Sequence, residues 1–128
     1  MLDHLSIQCA DVDAAEDFYL DVFGPLGFRR AMRYDGEEGT AIGISGADGM
    51  PRFWLGPQVD AGSGPIHLAF IAPTKEAVDA VQARAVARGG EILHEARMWP
   101  EYHDHYYGAF FRDPDGNNVE AVCHTVDT

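Results

Sequence analysis

The sequence predicts an α+β fold made of two successive modules, each with the order strand, helix, strand, strand, strand. Residues 4–9 alternate apolar and polar residues, residues 66–73 form a second strand-like run, and a segment with apolar residues at helical spacing follows each of them. The sequences of the two halves also match weakly at an offset of 63 residues, which aligns His4 with His67. Agreement in element order and in a polar residue indicates an internal repeat.

The first module spans about residues 2–57 and begins with the strand at residues 4–9. A helix follows, and Asp13 with Glu16 three residues later resembles a capping box at its start. Gly24 and Pro25 end this helix. Turns rich in glycine and acidic residues then separate three extended runs: FRRAMRY, TAIGISG and PRFWLG.

The second module spans about residues 65–124 and follows a connector at about 58–64. It opens with the strand IHLAFIAP, after which Thr74 is a candidate N-cap for a second helix that ends at Gly89. Three further extended runs complete it: EILHEA, YYGAFFRD and NNVEAVCH. We therefore expect residues 1–128 to form a single domain of two modules.

Composition excludes several function classes. A net charge of -12 disfavours nucleic acid or an anionic membrane surface as a partner. No apolar run approaches the roughly 20 residues that cross a membrane, and the N-terminus lacks the features of a signal peptide, so we expect a cytoplasmic protein. Cys9 and Cys123 lie far apart in strand-like segments, which is typical of reduced core side chains.

Three side chains of the metal-ligand type share one predicted face of the strands. His4, His67 and Glu120 each lie opposite the apolar residues that would pack on the helices. For a single histidine, a hydrogen-bonded place in a sheet is the simpler interpretation. Together, two imidazoles and one carboxylate suit a divalent ion such as Fe²⁺, Mn²⁺ or Zn²⁺. Three protein ligands also leave coordination positions open, as catalysis requires.

Three stretches carry a resemblance to a known family: DHLSIQCADVDAAEDFY, GPIHLAFIAPTKEAVDA and DPDGNNVEAV. They resemble the vicinal oxygen chelate superfamily, also called the glyoxalase, bleomycin-resistance and extradiol-dioxygenase superfamily, over residues 2–124. The resemblance implies a curved mixed sheet of two βαβββ modules with the helices outside. It also implies the metal ligands His4, His67 and Glu120, a bound Fe, Mn, Zn or Ni ion, and a homodimer.

One position departs from the glyoxalase I pattern within that superfamily. Members similar to glyoxalase I use a fourth ligand, Glu or Gln, on the closing strand of the first module. Aligning FWL with VEA instead makes Trp54 the counterpart of Glu120 in the repeat, and tryptophan cannot ligate a metal. The remaining set of three ligands is similar to that of extradiol dioxygenases and of metal-dependent fosfomycin-modifying enzymes.

Other residues are candidates for chemistry or for substrate contacts. Glu120 and Tyr107 are the candidate catalytic groups, because a carboxylate can accept a proton and a phenol can donate to a substrate oxygen. Tyr107 shares strand parity with Ala109 and Phe111. The candidate substrate contacts are Trp54, Tyr106, His103 and His105, although the loop histidines are equally consistent with a solvated loop.

Two function classes follow from these residues. The first is a metal-dependent enzyme acting on a small, vicinal-oxygen-chelating substrate, either a lyase or isomerase of the lactoylglutathione lyase kind or a ring-cleaving dioxygenase. The second is a metal-free protein of the bleomycin-resistance type that binds a drug or aromatic ligand, which the acidic charge and the aromatic residues would suit. The metal content of the protein distinguishes them.

Overall fold

A computed structural model describes residues 1–59 and 65–124. The chain divides into two compact units, Met1–Gly64 and Pro65–Thr128, and both have the predicted element order. Each described unit contains a four-stranded mixed sheet with one helix packed against it. Most of the predicted connector at about 58–64 lies outside the described residues.

The sheet of the first unit has the strand order β1-β4-β3-β2. Its first strand is parallel to its last, and the other pairings are antiparallel. The bounds of its elements are β1 Leu5–Cys9, α1 Val12–Val22, a 3-10 turn Gly24–Leu26, β2 Arg29–Gly36, β3 Gly39–Ser45 and β4 Pro51–Pro57.

Helix α1 packs on β4 through the fully buried Tyr19, whose ring meets Phe53 edge-on with centroids 4.9 Å apart. The predicted capping box is wrong, because the helix begins two residues earlier. Asp11 has an extended backbone and its side chain accepts a hydrogen bond from Ala14 N at 3.0 Å. Glu16 is buried and accepts two bonds from Arg30, at 2.5 and 2.6 Å, so it joins α1 to β2.

The sheet of the second unit repeats the arrangement, with the order β5-β8-β7-β6 and β5 parallel to β8. The N-cap prediction is confirmed, since the Thr74 side chain accepts a hydrogen bond from Ala77 N at 3.1 Å. The bounds of its elements are β5 His67–Ile71, α2 Lys75–Ala87, β6 Ile92–Met98, β7 Tyr107–Arg112 and β8 Asn118–Cys123.

The two faces of this second sheet differ in character. The face toward α2 is apolar and buried, and each of its large side chains contributes roughly 1.5–3 kcal/mol by leaving water. On β7 and β8 that face carries Ala109, Phe111, Val119, Ala121 and Cys123. Because side chains alternate along a strand, the residues between them, which include Phe110 and Glu120, lie on the other face.

The turn at residues 113–117 fixes where β8 starts. The buried carboxylate of Asp113 accepts bonds from the backbone N–H groups of Asp115 and Asn117, at 2.9 and 2.8 Å, and from the Asn117 side chain at 2.9 Å. Asn117 Oδ1 in turn accepts from Ile66 N at 2.9 Å. The turn therefore ties the start of β8 to the residue that precedes His67.

Within the described residues, no helix is long and apolar enough to span a membrane. Cys9 and Cys123 are buried thiols at the ends of β1 and β8, which agrees with the core position that the sequence predicts for them.

Candidate metal centre

His67 and Glu120 form a pair on the face of the second sheet that points away from α2. The parallel pairing of β5 with β8 sets Ala69 opposite Glu120 and His67 opposite Asn118, so the two side chains are diagonal neighbours. His67 Nε2 lies 2.8 Å from Glu120 Oε1. Glu120 is 1% exposed, whereas the His67 side chain is 52% exposed. The pair thus combines a buried carboxylate with an imidazole that solvent can reach.

The second oxygen of this carboxylate is bound by Tyr106, whose hydroxyl donates to Glu120 Oε2. Burial raises the pKa of Tyr106, and the hydrogen bond to Glu120 raises it further, so the phenol stays a donor at neutral pH. A Cβ at Gly108 would lie 3.1 Å from Oε2 and 3.2 Å from Tyr106 Cε1. A glycine at this position leaves space for the contact.

Trp99 anchors the loop that delivers Tyr106. Its indole N–H donates to Gly108 O at 2.9 Å, and its backbone N–H donates to Tyr106 O at 2.7 Å. The guanidinium of Arg97 lies 3.4 Å from the centre of the Trp99 ring, and Tyr102 stacks on that ring with centroids 5.4 Å apart. This aromatic loop is therefore packed against the sheet beside the carboxylate.

Asn118 contributes a further polar group to the same face. Its position on β8 is opposite His67 and two residues before Glu120. Its Oδ1 is buried and, within the part of the chain that the structure describes, has no hydrogen-bond partner. Buried polar atoms without partners are rare in native proteins, so this oxygen is available to accept a hydrogen bond from a water or a ligand beside the pair.

His4 lies in the first unit, one residue before β1. It occupies the position equivalent to His67, since the next residues, Leu5 and Leu68, pair with Phe53 and Val119 in the two corresponding parallel pairings. Its Nδ1 donates to Asp3 Oδ1 at 2.8 Å, and this bond lowers the pKa of the Asp3 carboxyl. Among residues 1–59 and 65–124, no three His, Cys, Asp or Glu side chains gather closely enough to hold a metal ion. Within the second unit the structure brings together His67 and Glu120, and His4 as the third ligand stays a prediction.

Trp54 occupies the place in the first sheet that Glu120 occupies in the second. It is opposite Ser6 on β1, as Glu120 is opposite Ala69 on β5, and these partners are 63 residues apart (69 minus 6). The indole N–H donates to Pro51 O at 2.8 Å. A Cβ at Gly43 would come within 2.9 Å of the ring, so the indole lies directly over that glycine.

Tyr107 is not placed where the sequence suggested. Tyr107 shares strand parity with Ala109 and Phe111, and the structure puts that parity on the face of α2. Its hydroxyl donates to Asp79 Oδ1 on α2 at 2.6 Å, and Lys75 Nζ lies 5.7 Å from its ring centre. Tyr106, one residue earlier, takes the place beside Glu120.

The two loop histidines have different surroundings. His103 is exposed, and its ring contacts the rings of Tyr106 and His124 with centroids 5.0 Å apart in both cases. His105 is exposed and has the left-handed φ of 66°. His103 therefore borders the aromatic cluster around Tyr106, and a substrate contact stays a prediction for both.

Solved structures of similar fold cover nearly the whole chain. A glyoxalase/bleomycin resistance protein from Albidiferax ferrireducens T118 is 23% identical, with a TM-score of 0.75 over 98% of this chain and 99% of that one. Lactoylglutathione lyase from Agrobacterium tumefaciens is 27% identical, with a TM-score of 0.66 over 96% and 92%. The fosfomycin resistance protein FosX from Listeria monocytogenes is 19% identical, with a TM-score of 0.72 over 98% and 94%.

A comparison with curated protein sequences gives no match. The sequence profile of one family, in contrast, matches residues 1–121, which is almost the full length. Both βαβββ units and the His67–Glu120 pair lie within or at the edge of that match. The chain belongs to the Glyoxalase/Bleomycin resistance protein/Dioxygenase superfamily.

Proposed function

We propose that this protein is a metal-dependent enzyme acting on a small substrate that offers two neighbouring oxygen atoms. In this proposal His67 and Glu120 supply two protein ligands of a divalent ion and His4 supplies the third. The observation that carries it is the contact between His67 Nε2 and Glu120 Oε1, at 2.8 Å, across the paired strands β5 and β8. About half of the His67 side chain is exposed, so solvent and a substrate can reach the pair from that side.

The spacing of the pair fits a shared ion. Two donor atoms each about 2.1 Å from one ion, at right angles, are about 3.0 Å apart. The nitrogen and oxygen of the pair are close to that separation, and an ion would replace the proton that they now share. The carboxylate is buried and held by a second hydrogen bond, as the ligands of metal sites usually are.

The His4 side chain suits the same role. Metal-bound histidines usually donate their other ring N–H to a carboxylate or carbonyl, which fixes the tautomer. His4 Nδ1 donates to Asp3 in this way, which makes Nε2 the nitrogen for a metal. We also expect a homodimer in the cytoplasm, in which the His4 that joins a given pair comes either from the same chain or from the second copy.

The other side chains at this face suit a small oxygen-bearing substrate. When bound, the ion would polarise substrate oxygens as a Lewis acid. Asn118 Oδ1 can accept a hydrogen bond from a substrate hydroxyl. Phe110 is buried with its ring 5.8 Å from that of His67, so it gives the site an apolar wall that excludes water. The named relatives include both a lyase and an antibiotic-resistance protein, so the substrate is proposed at this class level.

A metal-free binding protein is the second candidate, and a specific cluster favours it. The rings of Tyr102, His103 and His124 surround Tyr106, which contacts the buried Glu120 carboxylate. Aromatic faces beside a carboxylate can hold a cationic aromatic ligand. Such a protein would bind that ligand without any metal.

Metal content tests the first candidate directly. The protein is purified without a polyhistidine tag and analysed for metals before and after exposure to Fe²⁺, Mn²⁺, Zn²⁺ and Ni²⁺. We expect about one ion per chain in the wild type and its loss in His67→Ala, because an open site with two protein ligands binds far more weakly. The matched control is His103→Ala/His105→Ala, which removes two exposed histidines and should keep the metal.

Either of two results would contradict this proposal. A wild type that binds none of the four ions, even at high concentration, would leave the metal-free candidate, which predicts binding of an aromatic cation. Loss of metal in the loop double variant with retention in His67→Ala would place the ion in the loop instead. If the expected result is obtained, the identity of the ion chooses the assay: Fe directs it to diols and O₂, and Mn, Zn or Ni to isomerase, lyase or thiol-transfer substrates.

A further inference from the structure

We infer that Tyr106 is a positioning residue that holds Glu120 as a one-oxygen ligand and so keeps a coordination position open for substrate. The inference rests on the proposed function, because it concerns the same site. It goes beyond it by assigning a role to a side chain that neither ligates the ion nor touches the reacting atoms.

The two oxygens of Glu120 have separate partners. Oε1 faces His67 Nε2, and Oε2 accepts the hydroxyl of Tyr106. An unrestrained carboxylate can bind an ion through both oxygens. A phenol bound to one oxygen of a buried carboxylate makes a charge-assisted hydrogen bond, which opposes rotation of that oxygen toward an ion. The geometry thus selects Oε1 as the ligand atom.

Tyr106 is itself held on several sides, which a positioning role requires. Its ring is met edge-on by Tyr102, His103 and His124, with centroids 5.1, 5.0 and 5.2 Å away. Its backbone carbonyl accepts a bond from Trp99 N at 2.7 Å. A donor restrained in this way keeps its direction without the entropy loss of ordering a mobile side chain.

Gly108 supplies the space in which the contact forms. Any Cβ at this position would lie 3.1 Å from Glu120 Oε2 and 3.2 Å from the Tyr106 ring, closer than ordinary van der Waals contact. The peptide around it is fixed as well, because Gly108 O accepts from the Trp99 indole at 2.9 Å. A small side chain here would push the phenol and the carboxylate apart without removing any polar group.

The test compares Tyr106→Phe with Tyr107→Phe. Both changes remove one tyrosine–carboxylate hydrogen bond, but Tyr107 bonds Asp79 on the opposite face of the sheet. Co²⁺ is used as the probe, with its affinity measured by competition with a chromophoric chelator and its coordination followed by visible absorption. We expect Tyr106→Phe to weaken Co²⁺ binding about 10- to 100-fold and to change the intensity of the Co²⁺ bands. Tyr107→Phe should leave both unchanged.

A second variant guards against a simple loss of folding. Gly108→Ala should change the Co²⁺ bands in the same direction as Tyr106→Phe, with circular dichroism like that of the wild type. Once a substrate is known, Tyr106→Phe should raise KM more than it lowers kcat, since the position it keeps open is a binding position. Wild-type Co²⁺ affinity and spectrum in Tyr106→Phe would overturn the positioning role alone. A wild type that binds no Co²⁺ would overturn the proposed function, and this inference with it.

Discussion

The double variant Glu120→Leu/Tyr106→Phe should unfold at a higher temperature than the wild type while binding no metal. Glu120 is 1% exposed, and a buried carboxylate costs free energy that its partners only partly return. Replacing both members of a buried polar contact by apolar groups of similar shape is neutral or stabilising. We expect the metal-free double variant to gain about 1–3 kcal/mol in the free energy of unfolding, measured by urea denaturation with a chelator present.

The single variants separate the two contributions. Glu120→Leu alone removes the acceptor of the Tyr106 hydroxyl, so its gain in the free energy of unfolding should be smaller than that of the double variant. Glu120→Gln keeps the shape and should lose metal binding with little change in stability. The matched control is Glu16, the buried glutamate of the first unit, which accepts two bonds from Arg30. Glu16→Leu should lower the free energy of unfolding by about 1–3 kcal/mol, because Arg30 loses the acceptor of both its bonds to α1.

A double variant that is clearly less stable than the wild type would contradict the view that Glu120 is retained for function. It would mean that the pair with Tyr106 holds the second unit together as the Glu16–Arg30 pair joins α1 to β2. Natural proteins keep destabilising polar groups mainly at functional sites, so the sign of this one measurement bears on the nature of the site.

The part of this molecule that could be predicted from sequence depends on local patterns. Alternation of apolar and polar residues gave the strands, and the apolar face of each strand gave the side that meets a helix. The face of His67 and of Glu120 follows from the same pattern, because each lies on the side of its strand opposite the apolar residues that meet the helix. The repeat also aligned Trp54 with Glu120, and the strand registers confirm that the two residues hold equivalent positions in their sheets.

The predictions that were wrong concern side chains whose surroundings depend on pairing between strands or on contacts between elements. Tyr106 and Tyr107 are neighbours, so they point to opposite faces, and only the register that sets Phe110 against Glu120 decides which faces the carboxylate. The sequence of either strand alone does not determine that register. Likewise, Glu16 was expected to help cap α1, and it instead accepts hydrogen bonds from Arg30 on β2.

The turn at residues 113–117 should prove as important for the site as the ligands themselves. Asp113→Ala removes a buried carboxylate that accepts three hydrogen bonds, two of them from backbone N–H groups. We expect a loss of about 2–4 kcal/mol in the free energy of unfolding, because the variant takes a buried, charged acceptor away from those donors. The melting temperature should fall by on the order of 10 °C.

The same change should weaken metal binding at least about tenfold at a temperature where the variant is folded. Asn117 holds Ile66, the residue before His67, and Asn118 N donates to Ile66 O at 2.9 Å, so the turn sets the spacing of β5 and β8 at the pair. A displacement of about 1 Å in such a pair is enough to cost that much. The measurement is Co²⁺ affinity alongside urea denaturation.

The corresponding turn of the first unit provides the control. Asp48 lies between β3 and β4 and also accepts a backbone bond, from Met50 N at 2.9 Å, but it is exposed and its other partner is the surface residue Arg52. Asp48→Ala should lower the free energy of unfolding far less than Asp113→Ala does, and it should leave Co²⁺ affinity unchanged. Equal losses in the two variants would mean that burial of the turn carboxylate does not matter. Loss of stability in Asp113→Ala with full metal affinity would show that His67 and Glu120 keep their spacing without the turn.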